Sequence, residues 1–402
     1  MKKFKKLFNI ATLASVIGLV GCGSDDATNE PSTCFDFTQE NSSSVQWSKV
    51  ISGDYLKKLS DYKLFEDNTN PTVNPQSGGL PYDLTTPLFT DYATKYRYAF
   101  VPPGCSATYK ADEAFDFPVG SALVKTFTLP SSTSNRGFEN EDLIETRLLI
   151  KRESGWIALP YVWNAEKTEA FLDDNGPPPI SSLEHGGNHP DLNYLVPDPQ
   201  SCQNCHQIKA SGDIDEGGFG QIIPIGPKAR FLNKDYNYDS GNQNQLSKWV
   251  SEGILTGVPT DLSTVDQTPV ITDDTNIADM DPSELETAAR AWLDINCAHC
   301  HRRTPSGMAS NTNMHVEWTR LYSTNAGDFG TCEKPISFGG NDASADYIIE
   351  PGDASKSVMV FRMNTTDGGD RMPPLGRELI HTEGVELISA WINGMATDPN
   401  CI

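Results

Sequence analysis

Residues 202–206 read Cys-Gln-Asn-Cys-His, and residues 297–301 read Cys-Ala-His-Cys-His. Two Cys pairs, each followed at once by His, admit four readings: a zinc clip, a dithiol redox site, a pair of disulfides, or two covalently attached haems. Zinc ribbons set their Cys pairs about 15 to 20 residues apart, whereas about ninety residues separate Cys205 from Cys297. A thioredoxin-type dithiol needs a strand-to-helix setting and no particular residue after its second Cys. Histidine fills 7 of 402 positions, so a chance His behind both pairs has a probability of roughly three in ten thousand. The pattern is that of c-type haem attachment, in which two thiols add to the haem vinyls and the adjacent His ligates the iron. The expected cofactor is therefore two copies of haem c on Cys202, Cys205, Cys297 and Cys300, with His206 and His301 as proximal ligands.

The compartment agrees. The chain starts MKKFKKLFNIATLASVIGLVGCGSDD, with Lys2, Lys3, Lys5 and Lys6 ahead of an apolar run too short for a permanent membrane span, so residues 1–21 read as an export signal. Its end, Leu19-Val20-Gly21-Cys22, resembles the lipobox of bacterial lipoproteins, in which the Cys carries the lipid. Gly23, in place of Asp, then implies the outer membrane. Acyl chains on Cys22 would anchor the chain without a spanning helix, and residues 22–33 read as a small, polar tether. The expected location is the bacterial cell envelope, as an outer-membrane lipoprotein facing the periplasm or the cell surface. Removing residues 1–21 takes four of 31 basic residues and no acid, leaving 27 against 54, a net charge of −27. Such a balance excludes nucleic acid as a partner and suits basic redox proteins.

An exported chain must account for its thiols. Of nine cysteines, Cys22 goes to lipid and four to the two motifs, which leaves Cys34, Cys105, Cys332 and Cys401. Four Cys allow three pairings; pairing within each region of the chain favours Cys34 with Cys105 and Cys332 with Cys401.

Residues 34–180 read as mainly β: SALVKTFTLP and ETRLLIKRESGWIALPYVWN combine β-branched and aromatic residues, with breaks at Pro130, Gly155 and Pro160. Glu153-Ser154-Gly155 marks a hairpin tip. Residues 181–260 hold the first motif, where Pro190, Pro197 and Pro199 forbid a regular helix leading into it. Downstream, Gly226-Pro227 offers a carbonyl for the proximal His, and NQNQLSKWVSEGIL gives an amphipathic helix expected to close over the haem edge. Residues 261–281 read as a linker. In residues 282–402, Asp281 or Ser283 caps a helix through ELETAARAWLDIN into Cys297, and EGVELISAWINGMA forms a second amphipathic helix.

Between those helices stands Arg371-Met372-Pro373-Pro374-Leu375-Gly376, a rigid loop suited to present a thioether. Met372 is the expected sixth ligand of the second haem, ahead of Met359, Met363 and Met308. For the first haem, His189, His185 and Met280 are candidates, or the position is open. His299 is expected to point away from the iron, and His315 and His381 to be surface or structural residues.

SCQNCH with PIGPKARFLN, ARAWLDINCAHCH, EPGDASKSVMVFRMN and RMPPLGRELIHTEGVELISAWI together resemble the bacterial diheme c-type cytochrome lipoproteins, over about residues 80–398. The resemblance implies haem attachment and proximal ligation at the positions already named, and electron transfer. It carries no agreed substrate. The expected fold is α+β and multidomain, a β-rich domain followed by two mainly α-helical cytochrome c-like haem modules. The expected function is that of a lipid-anchored electron carrier; the alternative is a diheme enzyme, peroxidase-like or gas-binding, using an open first haem.

Overall fold

A run of strands with alternating faces organises the chain. The computed structural model describes residues 34–37, 44–172, 183–209, 220–303, 307–336, 345–398 and 401; the export signal, Cys22 and the tether lie outside the described residues. Strands β1 (Gly79–Pro81), β2 (Thr94–Phe100), β4 (Ala122–Pro130), β5 (Glu141–Arg152), β6 (Gly155–Trp163) and β7 (Ala170–Leu172) form one antiparallel sheet in the order β1-β2-β4-β5-β6-β7. The tight turn between β5 and β6 is set by Gly155, whose φ of 115° suits only glycine.

Period-two alternation gives the sheet two covered faces. On one, Phe100, Val124, Leu148, Ile150 and Tyr161 pack against Trp47 and Val50 of helix α1 (Trp47–Ile51), with Tyr62 and Phe65. Each such side chain removed from water stabilises the fold by about 1.5 to 3 kcal/mol. The other face carries the first Cys motif. Against it lie helices α2 (Pro199–His206), α3 (Ala229–Leu232) and α4 (Gln245–Ser251), together with the short pairs β8 (Gln207–Ile208) with β9 (Gln221–Ile222) and β10 (Asp235–Tyr238) with β11 (Gly241–Asn244). Strand β12 (Leu255–Thr256) pairs in parallel with β3 (Ala107–Thr108), tying this region back to the segment between β2 and β4.

The C-terminal part is built on α5 (Pro282–Asn296) and α8 (Thr382–Asn393), with the short α6 (Tyr322–Asn325) and α7 (Val358–Met363) between them. Ala288, Ala289, Trp292 and Leu293 of α5 share a core with Leu387, Ile388, Trp391 and Ile392 of α8. Asp281 caps α5 through a complete capping box: its Oδ1 accepts from Ser283 N and Glu284 N, and Glu284 Oε2 accepts from Asp281 N.

The expectation of two mainly α-helical cytochrome c-like modules is overturned. The organising element is the six-stranded sheet, and among the described residues of 181–260 there are one eight-residue helix, two shorter ones and small β pairs, not a helical bundle. Prolines explain this: Pro190, Pro197, Pro224 and Pro227 remove amide donors and forbid continuous helix, and Pro199 is tolerated because it is the first residue of α2. In the C-terminal part, the apolar stripes do form α5 and α8, but the segment between them is mostly irregular. Helix α4 forms, but none of its residues is among the described lining of the cleft it was expected to close over. Its Trp249 is buried against Tyr82, Phe115 and Phe117, while Val250 is exposed.

Contacts join Cys34–Ile402 into one unit. One buried strut between the two motif-bearing regions is ionic: Asp294 on α5 accepts from Arg230 of α3 at 2.6 Å and 2.9 Å and from the Trp318 amide at 3.1 Å, with Lys228 Nζ at 3.8 Å. Disulfides join Cys34 to Cys105, with Cα atoms 5.4 Å apart, and Cys332 to Cys401, 4.8 Å apart. Among the described residues no helix is long and apolar enough to cross a membrane.

Candidate haem site

Asp198 accepts from the Ser201 amide and starts α2, which carries Cys202, Cys205 and His206 on its last two turns. The β8–β9 pair then returns the chain so that the Ile223 carbonyl lies 2.7 Å from His206 Nδ1. Nδ1 therefore carries the proton it donates, and the lone pair of Nε2 is left for a metal. The carbonyl is that of Ile223, not of Gly226 or Pro227; the Gly226 carbonyl instead accepts from the Lys228 amide. The second motif follows α5 directly. His301 Nδ1 sits 3.3 Å from Thr312 Oγ1, whose hydroxyl is donated to the Ala309 carbonyl. Burial pushes both imidazoles down, to about 4. Both are thus neutral at physiological pH, the form that binds iron.

The fold brings the two motifs into contact. One ligating atom each from Cys205, His299 and Cys300 all lie within 4.8 Å of one another, and Cys300 Sγ is 3.3 Å from the Asn204 carbonyl. All four motif thiols are unpaired and partly buried. The hydrogen bond with Cys300, assisted by His299, pulls the Cys205 thiol down, and the same contact pushes Cys300 up. Burial alone pushes Cys297 up to about 12.

The first motif opens onto a cleft, and of the second motif only His299 reaches it among the described residues. Cys202, Cys205 and His206 line it from one side, Trp292, Asn296 and His299 from another, and Met363, Met372 and Val385 from a third. Unpaired thiols, a neutral imidazole with its outer nitrogen fixed, apolar walls and a thioether are the donor set that haem c requires, so the residues fit the group.

Met372, expected from sequence to serve the second motif, instead lines the cleft of His206, and His301 is not among that cleft's described lining residues. Its loop is braced: the Arg377 guanidinium donates to the carbonyls of Arg362, Thr365, Met372 and Leu379, and Arg371 pairs with Glu378 through two bonds of 2.8 Å and 3.0 Å. Asp91 Oδ1, from the turn before β2, accepts from the amides of Glu378 and Leu379. The Met372–Pro373 peptide is cis.

The other candidates lie elsewhere. His185 stacks on Tyr92 and places Nε2 3.2 Å from Glu383; His189 is exposed; Met280 packs on the α5–α8 core. Met359 is in that same core and Met308 is exposed. His315 is buried, its Nε2 3.0 Å from the Ser310 carbonyl. His381, assigned from sequence to the surface or to structure, lines the cleft between Phe89 and Trp292. No local pattern marks it, nor Asp91, because both act through neighbours far away in the sequence. Comparison with family models, curated proteins and solved structures finds no match for this chain.

Proposed function

We propose that this protein is an exported, lipid-anchored diheme c-type cytochrome that transfers electrons. The observation that carries the reading is that two Cys-X-X-Cys-His motifs, distant in sequence, meet where Cys205 lies beside His299 and Cys300, with none of the four thiols in a disulfide. Bound haem supplies one-electron exchange at iron. Cys202 and Cys205, and likewise Cys297 and Cys300, attach it by adding S–H across a vinyl double bond, a step that needs no oxidant and releases nothing. His206 and His301 present Nε2, Met372 offers its sulfur, and Arg377 keeps that sulfur in place. The acidic surface favours basic redox partners, and Cys22 provides the lipid anchor. The test is a pyridine haemochrome assay with intact mass on protein made in a host that matures c-type cytochromes. Two covalent haems per chain support the reading; none overturns it.

A second reading has its own observation. Cys205, His299 and Cys300 are spaced as ligands of a single ion. Stoichiometric zinc in protein lacking haem would favour it.

A further inference from the structure

The covered face of a sheet is normally apolar, and this one is interrupted by a row of cations. Arg97 on β2 stands opposite Lys125 on β4, and Lys125 stands opposite Arg147 on β5. Like charges directly opposite one another destabilise a sheet, and burial in a wall raises the cost. Arg97 is 6% exposed. The two guanidiniums have partners, Asp83 at 2.8 Å and Glu145 at 2.5 Å. Among the described residues no carboxylate pairs with Lys125, whose Nζ lies 5.0 Å from the Phe127 ring centre. Arg97, Lys125 and Arg147 all line the cleft of His206 and Met372, and Arg377 adds a fourth cation. No Asp or Glu is among the cleft's described lining residues, in a chain with 54 acidic and 31 basic residues. The acids have been kept out of this one place.

We propose that Lys125, flanked by Arg97 and Arg147, is the anion-binding point of the cleft and holds a carboxylate of what the cleft takes up. The inference rests on the haem reading, because haem brings two propionate carboxylates into this cleft; a free small carboxylate offers the same chemistry from a second source. Burial, with Arg97 and Arg147 beside it, pushes the Lys125 ammonium well down, and a carboxylate would return the charge to it. A haem carboxylate deprived of Lys125 would leave its negative charge uncompensated near iron. That favours the ferric state and lowers the potential.

The experiment is spectroelectrochemical titration of the haem-loaded full chain as wild type, Lys125→Gln, Lys125→Met and Lys125→Arg, with circular dichroism to verify the fold of each. The expected result is a lower midpoint for one haem in both neutral variants, no change in the other haem, and recovery in Lys125→Arg. Acetate separates the sources: wild-type midpoints indifferent to it assign the site to propionate, whereas a wild-type midpoint that moves with acetate while Lys125→Gln stays still assigns it to a free carboxylate. Unchanged midpoints in both neutral variants, with and without acetate, overturn the inference and leave the haem reading standing. A chain without covalent haem overturns the haem reading, and this inference with it.

Discussion

The first motif rides on an eight-residue helix pressed to the face of a sheet, and the second ends a fifteen-residue helix in an apolar helical core. Their five-residue patterns are alike, and each helix starts at an Asp cap followed by Pro, yet what lies around them differs. In the first, Ile223, just after a small β pair, orients the imidazole; in the second, Thr312 from an irregular loop does so. The motif prescribes attachment chemistry only. What orients the His is supplied by a different neighbour at each site.

The comparison can be broken most directly at the thiols. Cys202→Ala with Cys205→Ala is expected to halve the covalent haem measured by haemochrome assay, and Cys297→Ala with Cys300→Ala to remove the other half. If either pair removes all of it, the two sites are not independent. Met372→Ala should come next: it is expected to abolish the absorption signature of His/Met ligation and to open one iron to carbon monoxide, seen as a shift in the reduced spectrum. A wild-type protein that already binds carbon monoxide would move the function towards peroxide or gas chemistry.

The strut between the two regions is a third target. Asp294→Ala leaves Arg230 and Lys228 buried without their carboxylate, and denaturant unfolding should show a loss of about 3 to 5 kcal/mol. Burial alone would raise the Asp294 carboxyl, but Arg230 and Lys228 outweigh it and hold it below its usual value. Its stabilising contribution is therefore present above the unfolded carboxylate pKa of about 3.9 and is lost as pH falls through the lower folded value. Acid titration of the wild type should thus erase the difference from Asp294→Ala. The smallest effect belongs to Asp281→Ala, which removes the cap of α5 and should cost about 1 kcal/mol, touching the second motif's support alone.

The legible parts of this fold were those encoded within a few residues. The β-rich segment, the β5–β6 turn at Gly155, the cap at Asp281 and the stripes of α5 and α8 are local patterns, and each lies where the sequence reading puts it. The helical-module architecture failed because stripes on two helices say nothing of what fills the stretch between them, and because prolines around the first motif leave room only for short pieces. The site was half legible. The motif residues and Met372 carry recognisable spacing, but Arg97, Lys125 and Arg147 become a row only through strand register, and Asp91 and His381 acquire roles only once the chain has closed.

That closure has an order in time. Synthesis runs from the N-terminus, so the residues of the sheet and of the first motif are made before residue 372 is added. Asp91 Oδ1 waits for amides made 287 and 288 residues later. Until they arrive the cleft lacks the Met372 and Val385 side of its wall, and the thiols of α2 stay open on that flank. A stretch made late is the one that shuts the door.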